Sequence, residues 1–111
     1  MTYTIKFESQ GPAGMVYYQE RDSTLPFYWE GTTVGFDVYL PSSEKWAAFC
    51  DEHNAASAKD RREEIVGRLA NKVARQEARG AKVSIDDTGI TFSYEGSWFR
   101  ALLRKILGRQ V

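Results

Sequence analysis

Cys50-Asp-Glu-His53 sets a thiol and an imidazole three residues apart, a spacing that brings two side chains to neighbouring positions on a helix. Such a pair can make a thiolate nucleophile, and all four residue types ligate metals. Either site needs more: a third group to orient the imidazole, or further ligands. Cys50 is the only cysteine and His53 the only histidine among 111 residues, so any remaining metal ligands would be carboxylates. Trp46 and Phe49 fall on the same helical side, where a small thiol is an ordinary core filler. The expectation is that Cys50 and His53 are core residues, with no cofactor and no metal. A pocket lined by Trp29, Trp46, Cys50 and His53 is what a small-ligand binder or an enzyme would use instead.

Residues 25–41, LPFYWEGTTVGFDVYLP, hold a second pair of acids, Glu30 and Asp37, on either side of a Gly-Thr-Thr turn. Two carboxylates on one hairpin face can divide general acid and base roles. With Gly31 and Thr32 as a two-residue loop, glycine first as in a type II′ turn, Trp29 faces Val34, Phe27 faces Phe36 and Leu25 faces Val38. All three pairs are apolar. On the other face Tyr28 then covers Gly35, Asp37 faces Pro26, and the two acids stand roughly 14 Å apart along the strands, too far to share a water. That face carries Tyr28, Glu30, Asp37 and Tyr39.

Arg61, Arg68, Lys72, Arg75 and Arg79 fall within about 60° of arc on a helix and form a line about 27 Å long. A line of cations can track a phosphate backbone or an acidic partner, and it can also flank a buried stripe and snorkel over it. Near the end of the chain, Arg100, Arg104, Lys105 and Arg109 oppose Trp98, Phe99, Leu102, Leu103, Ile106 and Leu107. This is the pattern of a helix that docks on its own sheet, on a partner's groove or on a membrane surface. No phosphate-binding glycine loop, dinucleotide fingerprint or serine-nucleophile elbow occurs in the chain.

These residues must be positioned by a small fold. The length fits one domain, which buries about 60–70% of its unfolded surface. The composition, 42% hydrophobic and 27% charged with 3 prolines, is that of an ordinary globular chain. An unpaired cysteine suits a reducing compartment, Met1 is followed at once by the alternating stretch TYTIKFES, and no apolar run is long enough to span a bilayer. The expectation is a cytoplasmic protein. Its net charge is zero, but residues 1–57 hold 3 cations against 8 acids and residues 58–111 hold 12 against 7. A dipolar molecule follows if the halves face apart.

Tyr3, Ile5 and Phe7 alternate with polar residues as one strand, and MVYYQE reads as a second, with no clear choice of face. After the hairpin, a helix capped by Ser42 or Ser43 carries Trp46, Phe49, Cys50 and His53 on one side. Asp60 to Glu63 has the form of a capping box for a longer helix, which runs to about Arg79, stops at Gly80 and buries Ile65, Val66, Leu69 and Val73. A second hairpin turns over Asp86 to Gly89, the glycine supplying a positive φ, with Val83 and Ile85 inward on one arm and Ile90, Phe92 and Tyr94 on the other. An amphipathic helix over 97–108 closes the order β-β-β-β-α-α-β-β-α. This predicts a single α+β domain, a mostly antiparallel sheet of five to six strands with helices on one face.

With no catalytic set, the leading functional expectation is a non-enzymatic module that binds another protein or itself through Tyr28, Glu30, Asp37 and Tyr39, as an inhibitor, an immunity protein or a homodimer would. The alternative is a nucleic-acid-binding domain using the Arg61, Arg68, Lys72, Arg75 and Arg79 stripe.

Overall fold

The structure, a computed structural model, describes residues 2–94. Six strands form one antiparallel sheet: β1 (Tyr3–Gln10), β2 (Ala13–Glu20), β3 (Ser23–Thr32), β4 (Gly35–Tyr39), β5 (Lys82–Asp86) and β6 (Gly89–Ser93), in the order β1-β2-β3-β4-β6-β5. Helices α1 (Trp46–Glu52) and α2 (Arg62–Glu77) stand between β4 and β5, joined by a short 3-10 turn over Ala56–Ala58. The fold is α+β, and its element order over these residues is the expected one. The helix expected over 97–108 lies outside the described residues.

Two-residue loops explain the antiparallel order, since a hairpin that tight can join only antiparallel neighbours. Between β1 and β2 the loop is Gly11–Pro12, with Gly11 at φ 70°. Proline cannot take a positive φ, so of the two favoured hairpin turns only type II′ is open to this pair. The β5–β6 hairpin folds back so that β6 rather than β5 lies beside β4.

The sheet alternates cleanly. Val16, Tyr18, Leu25, Phe27, Trp29, Val38, Ile90 and Phe92 are buried on one face together with Trp46, Cys50, Ile65, Val66, Leu69 and Val73 of the helices. Each fully buried large side chain of this kind contributes about 1.5–3 kcal/mol. The Trp46 indole stacks on Phe27 with ring centroids 6.3 Å apart and donates its N–H to the Ala58 carbonyl at 2.9 Å, so the ring is buried without stranding its donor. The α2 stripe is the expected one.

The β3–β4 register differs from the expected one. Trp29 pairs with Val38, Glu30 with Asp37, Gly31 with Phe36 and Thr32 with Gly35, which makes Thr33 and Val34 the loop. Gly31 is not in the turn because its backbone is needed elsewhere. Its N–H donates to the Pro12 carbonyl at 2.6 Å, and a Cβ there would stand 3.1 Å from that oxygen. The slide is by an even number of residues, so every side chain keeps its expected face while its partner changes. Aromatic cover of a glycine also occurs at a different place. Trp29 lies opposite Gly14 and donates its indole N–H to the Glu8 carbonyl at 2.8 Å, while Gly35 lies opposite Thr32 and Ser93.

Neither helix is capped by the expected serine or aspartate. Lys45 precedes α1 and Arg61 precedes α2, both without a side-chain cap bond, and α2 ends at Glu77. Ser43 instead donates its hydroxyl to Asp87 at 2.7 Å, tying the β4–α1 connection to the β5–β6 turn. Val83 and Ile85 pair with Phe92 and Ile90 on the core side, yet on this edge strand they are 37% and 53% exposed. Gly89 has no positive φ; a Cβ there would approach the Val38 carbonyl to 3.0 Å, so glycine serves the neighbouring strand rather than the turn.

Candidate functional site

On the face away from the helices, Tyr28 of β3 and Tyr39 of β4 stack with ring centroids 5.8 Å apart and planes 17° from parallel. Both remain exposed, 45% and 44%. The register that differs from the expected one is what brings them together, and it also sets Glu30 directly opposite Asp37. The separation of roughly 14 Å expected for the two acids is therefore wrong. Directly opposed residues have Cβ atoms about 4.5–5.5 Å apart. The Tyr39 hydroxyl donates to Glu30 Oε1 at 3.1 Å, and this bond to a carboxylate pushes the phenol above its usual range. All four expected face residues thus form one patch.

Like charges directly opposite one another on a sheet are destabilising. Among the described residues, no cationic side chain pairs with Glu30 or Asp37. The patch therefore combines flat, rigid aromatic area with negative charge that no described cation neutralises.

Three further residues extend it. Met15 pairs with Tyr28, and Tyr17 with Pro26, so β2 continues the aromatic and apolar row toward β1. A shallow depression of about 180 Å³ opens there, lined by Glu8, Met15, Tyr17 and Tyr28 among others. Val16, Tyr17 and Tyr18 are consecutive in the chain, which hides their faces from periodicity. Only pairing with β3 sends Tyr18 inward and Tyr17 outward.

The basic stripe is divided. The Arg61 guanidinium takes both Glu20 oxygens at 3.0 and 2.6 Å and reaches Glu64 at 2.9 Å. Arg68 donates to the Tyr18 hydroxyl at 2.7 Å, pairs with Glu64 at 3.0 Å and lies 4.2 Å from the centroid of the Tyr3 ring. The Tyr18 hydroxyl in turn donates to Glu20 at 2.5 Å. The Arg61 hydrogen bonds hold the Glu20 carboxyl below its usual range, and burial foremost holds the Tyr18 phenol above its own. Only Lys72, Arg75 and Arg79 of the five lack an acidic partner among the described residues. Sequence spacing identified the line of cations but not the acid on β2 that takes up its first members.

Cys50 is fully buried, and burial raises its thiol pKa, which disfavours the thiolate a nucleophile needs. His53 packs edge-on against Phe49 with ring centroids 4.9 Å apart. The pocket expected from Trp29, Trp46, Cys50 and His53 does not form: Trp46 and Cys50 are core residues, and Trp29 covers Gly14. His53 instead lines an open polar cleft of about 1300 Å³ with Tyr3, Glu20, Asp22, Asn54 and Ser57. Among the described residues, no three of the His, Cys, Asp and Glu side chains gather where they could hold a metal. No helix among them is long and apolar enough to cross a membrane.

Comparison with protein-family models, with curated proteins and with solved structures returned no match to this chain.

Proposed function

We propose that the chain is a non-enzymatic interaction module that binds another protein through the outer face of its sheet, centred on Tyr28, Glu30, Asp37 and Tyr39. One observation carries this reading: two exposed tyrosines stack beside two directly opposed carboxylates that no described cation neutralises. Tyrosine offers large contact area with few rotamers to freeze, and interfaces are enriched in it. The opposed acids cost stability in the free chain, a cost that a cationic partner reverses on binding. The same acids argue for a different protein rather than a second copy. A two-fold contact centred on this patch would bring four carboxylates together.

Charge reversal at both acids, Glu30→Lys with Asp37→Lys, tests the reading through association and through mass by light scattering. The expected result is a monomer in both forms and loss of the bound partner only in the variant. Retention of the partner by the charge-reversed chain overturns it.

A further inference from the structure

We infer that the depression between Tyr17 and Tyr28 seats a single arginine side chain of the partner. The inference rests on the outer face being the binding face and names the chemistry that the face recognises. At about 180 Å³ the depression is smaller than the sites that take drug-sized ligands, and it suits one long side chain. Its position in the sheet explains its shape. Glu8, Met15 and Tyr28 are register neighbours across β1, β2 and β3, with Tyr17 beside Pro26 on the row to one side and the small Ala13 on the row to the other.

Each boundary supplies one part of guanidinium recognition. Met15 is a flexible apolar floor for a methylene stem. Tyr28 lies between Met15 on one neighbouring strand and Tyr39 on the other, so its stack with Tyr39 occupies the β4 side and leaves the β2 side to the depression. A ring face so placed attracts a cation, and a planar guanidinium stacks on it better than an ammonium does. Glu8 offers a carboxylate for the forked N–H groups. Its present partner is Lys6 at 3.1 Å, and both side chains are largely exposed, so a guanidinium can share or displace that weak pair. At the margin Ala13 lies opposite Glu30, which in turn lies opposite Asp37, so the negative charge of the patch extends to this edge.

The test uses the intact chain labelled at its methionine methyl groups and titrated with blocked arginine, N-acetyl-arginine-methylamide. Blocked lysine and blocked citrulline serve as comparisons; citrulline keeps the length and the planar end but not the charge. The expected result is a saturable shift of the Met15 methyl signal with arginine, a weaker response to lysine and none to citrulline. Glu8→Gln is expected to weaken the arginine response about two- to fivefold, the range of an exposed ion pair. An unmoved Met15 signal, or equal shifts from arginine and citrulline, overturns the inference. Tyr39→Ala separates this outcome from the wider reading, because Tyr39 lies outside the depression. Partner binding lost in Tyr39→Ala while arginine leaves Met15 unmoved retains the face and rejects the arginine seat. An arginine response at Met15 with partner binding unchanged in Tyr39→Ala rejects the face.

Discussion

Arg61 grips Glu20 with two guanidinium nitrogens, at 3.0 and 2.6 Å, and this bond fastens the start of α2 to the end of β2. The Glu20 side chain is only 7% exposed and that of Arg61 18%, so removing Arg61 leaves a mostly buried carboxylate with only the Tyr18 hydroxyl and the more distant Arg68 as partners. Arg61→Ala is expected to destabilise the fold by about 2–4 kcal/mol, the range for removing one member of a mostly buried pair. Urea unfolding of the variant checks this, and a loss within 0.5 kcal/mol would show that the pair is merely superficial.

The same bond predicts a pH dependence. Arg61 depresses the Glu20 carboxyl in the folded chain below its ordinary value of 4.5. A depressed carboxyl stabilises the fold fully above its unfolded pKa, and that contribution is lost as pH falls through the folded value. Stability measured from pH 7 down to pH 2 should therefore fall below about pH 4.5. Glu20→Gln should show a shallower acid limb, and an unchanged limb would remove Glu20 from the account.

Glycine substitutions should separate by place. A Cβ on Gly14 would stand 2.0 Å from the Glu8 carbonyl oxygen and 2.7 Å from the Trp29 indole nitrogen, so Gly14→Ala must push β1 and β2 apart and also displace the indole. A loss of about 3 kcal/mol or more is expected, as for severe overpacking. Gly67 in α2 has open space around its Cβ position, and Gly67→Ala should gain about 0.5–1 kcal/mol from helix propensity. Thermal unfolding of the two variants reads both signs.

Reversing charges along α2 distinguishes the anchored cations from those with no described acidic partner. Arg68→Glu would set a carboxylate beside Glu20, Glu64 and the Tyr18 hydroxyl, and a loss of about 2 kcal/mol or more is expected. Arg75 is exposed and without a described acidic partner, so Arg75→Glu should stay within about 0.5 kcal/mol. Should the chain hold nucleic acid, Lys72→Glu with Arg75→Glu would abolish that binding without unfolding it, and salt would weaken it steeply.

Cys50 should resist thiol reagents in the folded chain, since it is fully buried and its thiol pKa is raised. Modification is expected only on the timescale of unfolding, and labelling within seconds in native buffer would contradict its place in the core.

The faces of the strands were legible in the sequence, and their partners were not. Alternation alone puts Phe27, Trp29 and Val38 on the core side and Tyr28 and Tyr39 on the other, because side-chain direction has a period of two. The β3–β4 register depends on where the turn sits. There the Gly31 signal misleads, since that glycine serves the approach of Pro12 from the neighbouring hairpin. An even slide leaves each face intact but brings Tyr28 to Tyr39 and Glu30 to Asp37, which changes a scattered surface into one patch. The α2 stripe was legible for the same local reason. Arg61 and Arg68 were not, because besides Glu64 on α2 itself what engages them comes from β1 and β2, more than 40 residues away along the chain. Capping serines were misread because Ser43 is engaged by Asp87, a contact with no local trace.

The central claim is that the outer face binds another protein through stacked Tyr28 and Tyr39. Quantitative comparison of the proteins captured by the chain and by its Tyr28→Ala/Tyr39→Ala variant, both shown folded by their thermal transitions, tests it most directly. Truncating central interface tyrosines typically costs about 2 kcal/mol or more, roughly a thirtyfold loss of affinity. The account predicts at least one protein captured by the native chain and lost from the variant by that margin. An identical captured set in equal amounts would contradict it.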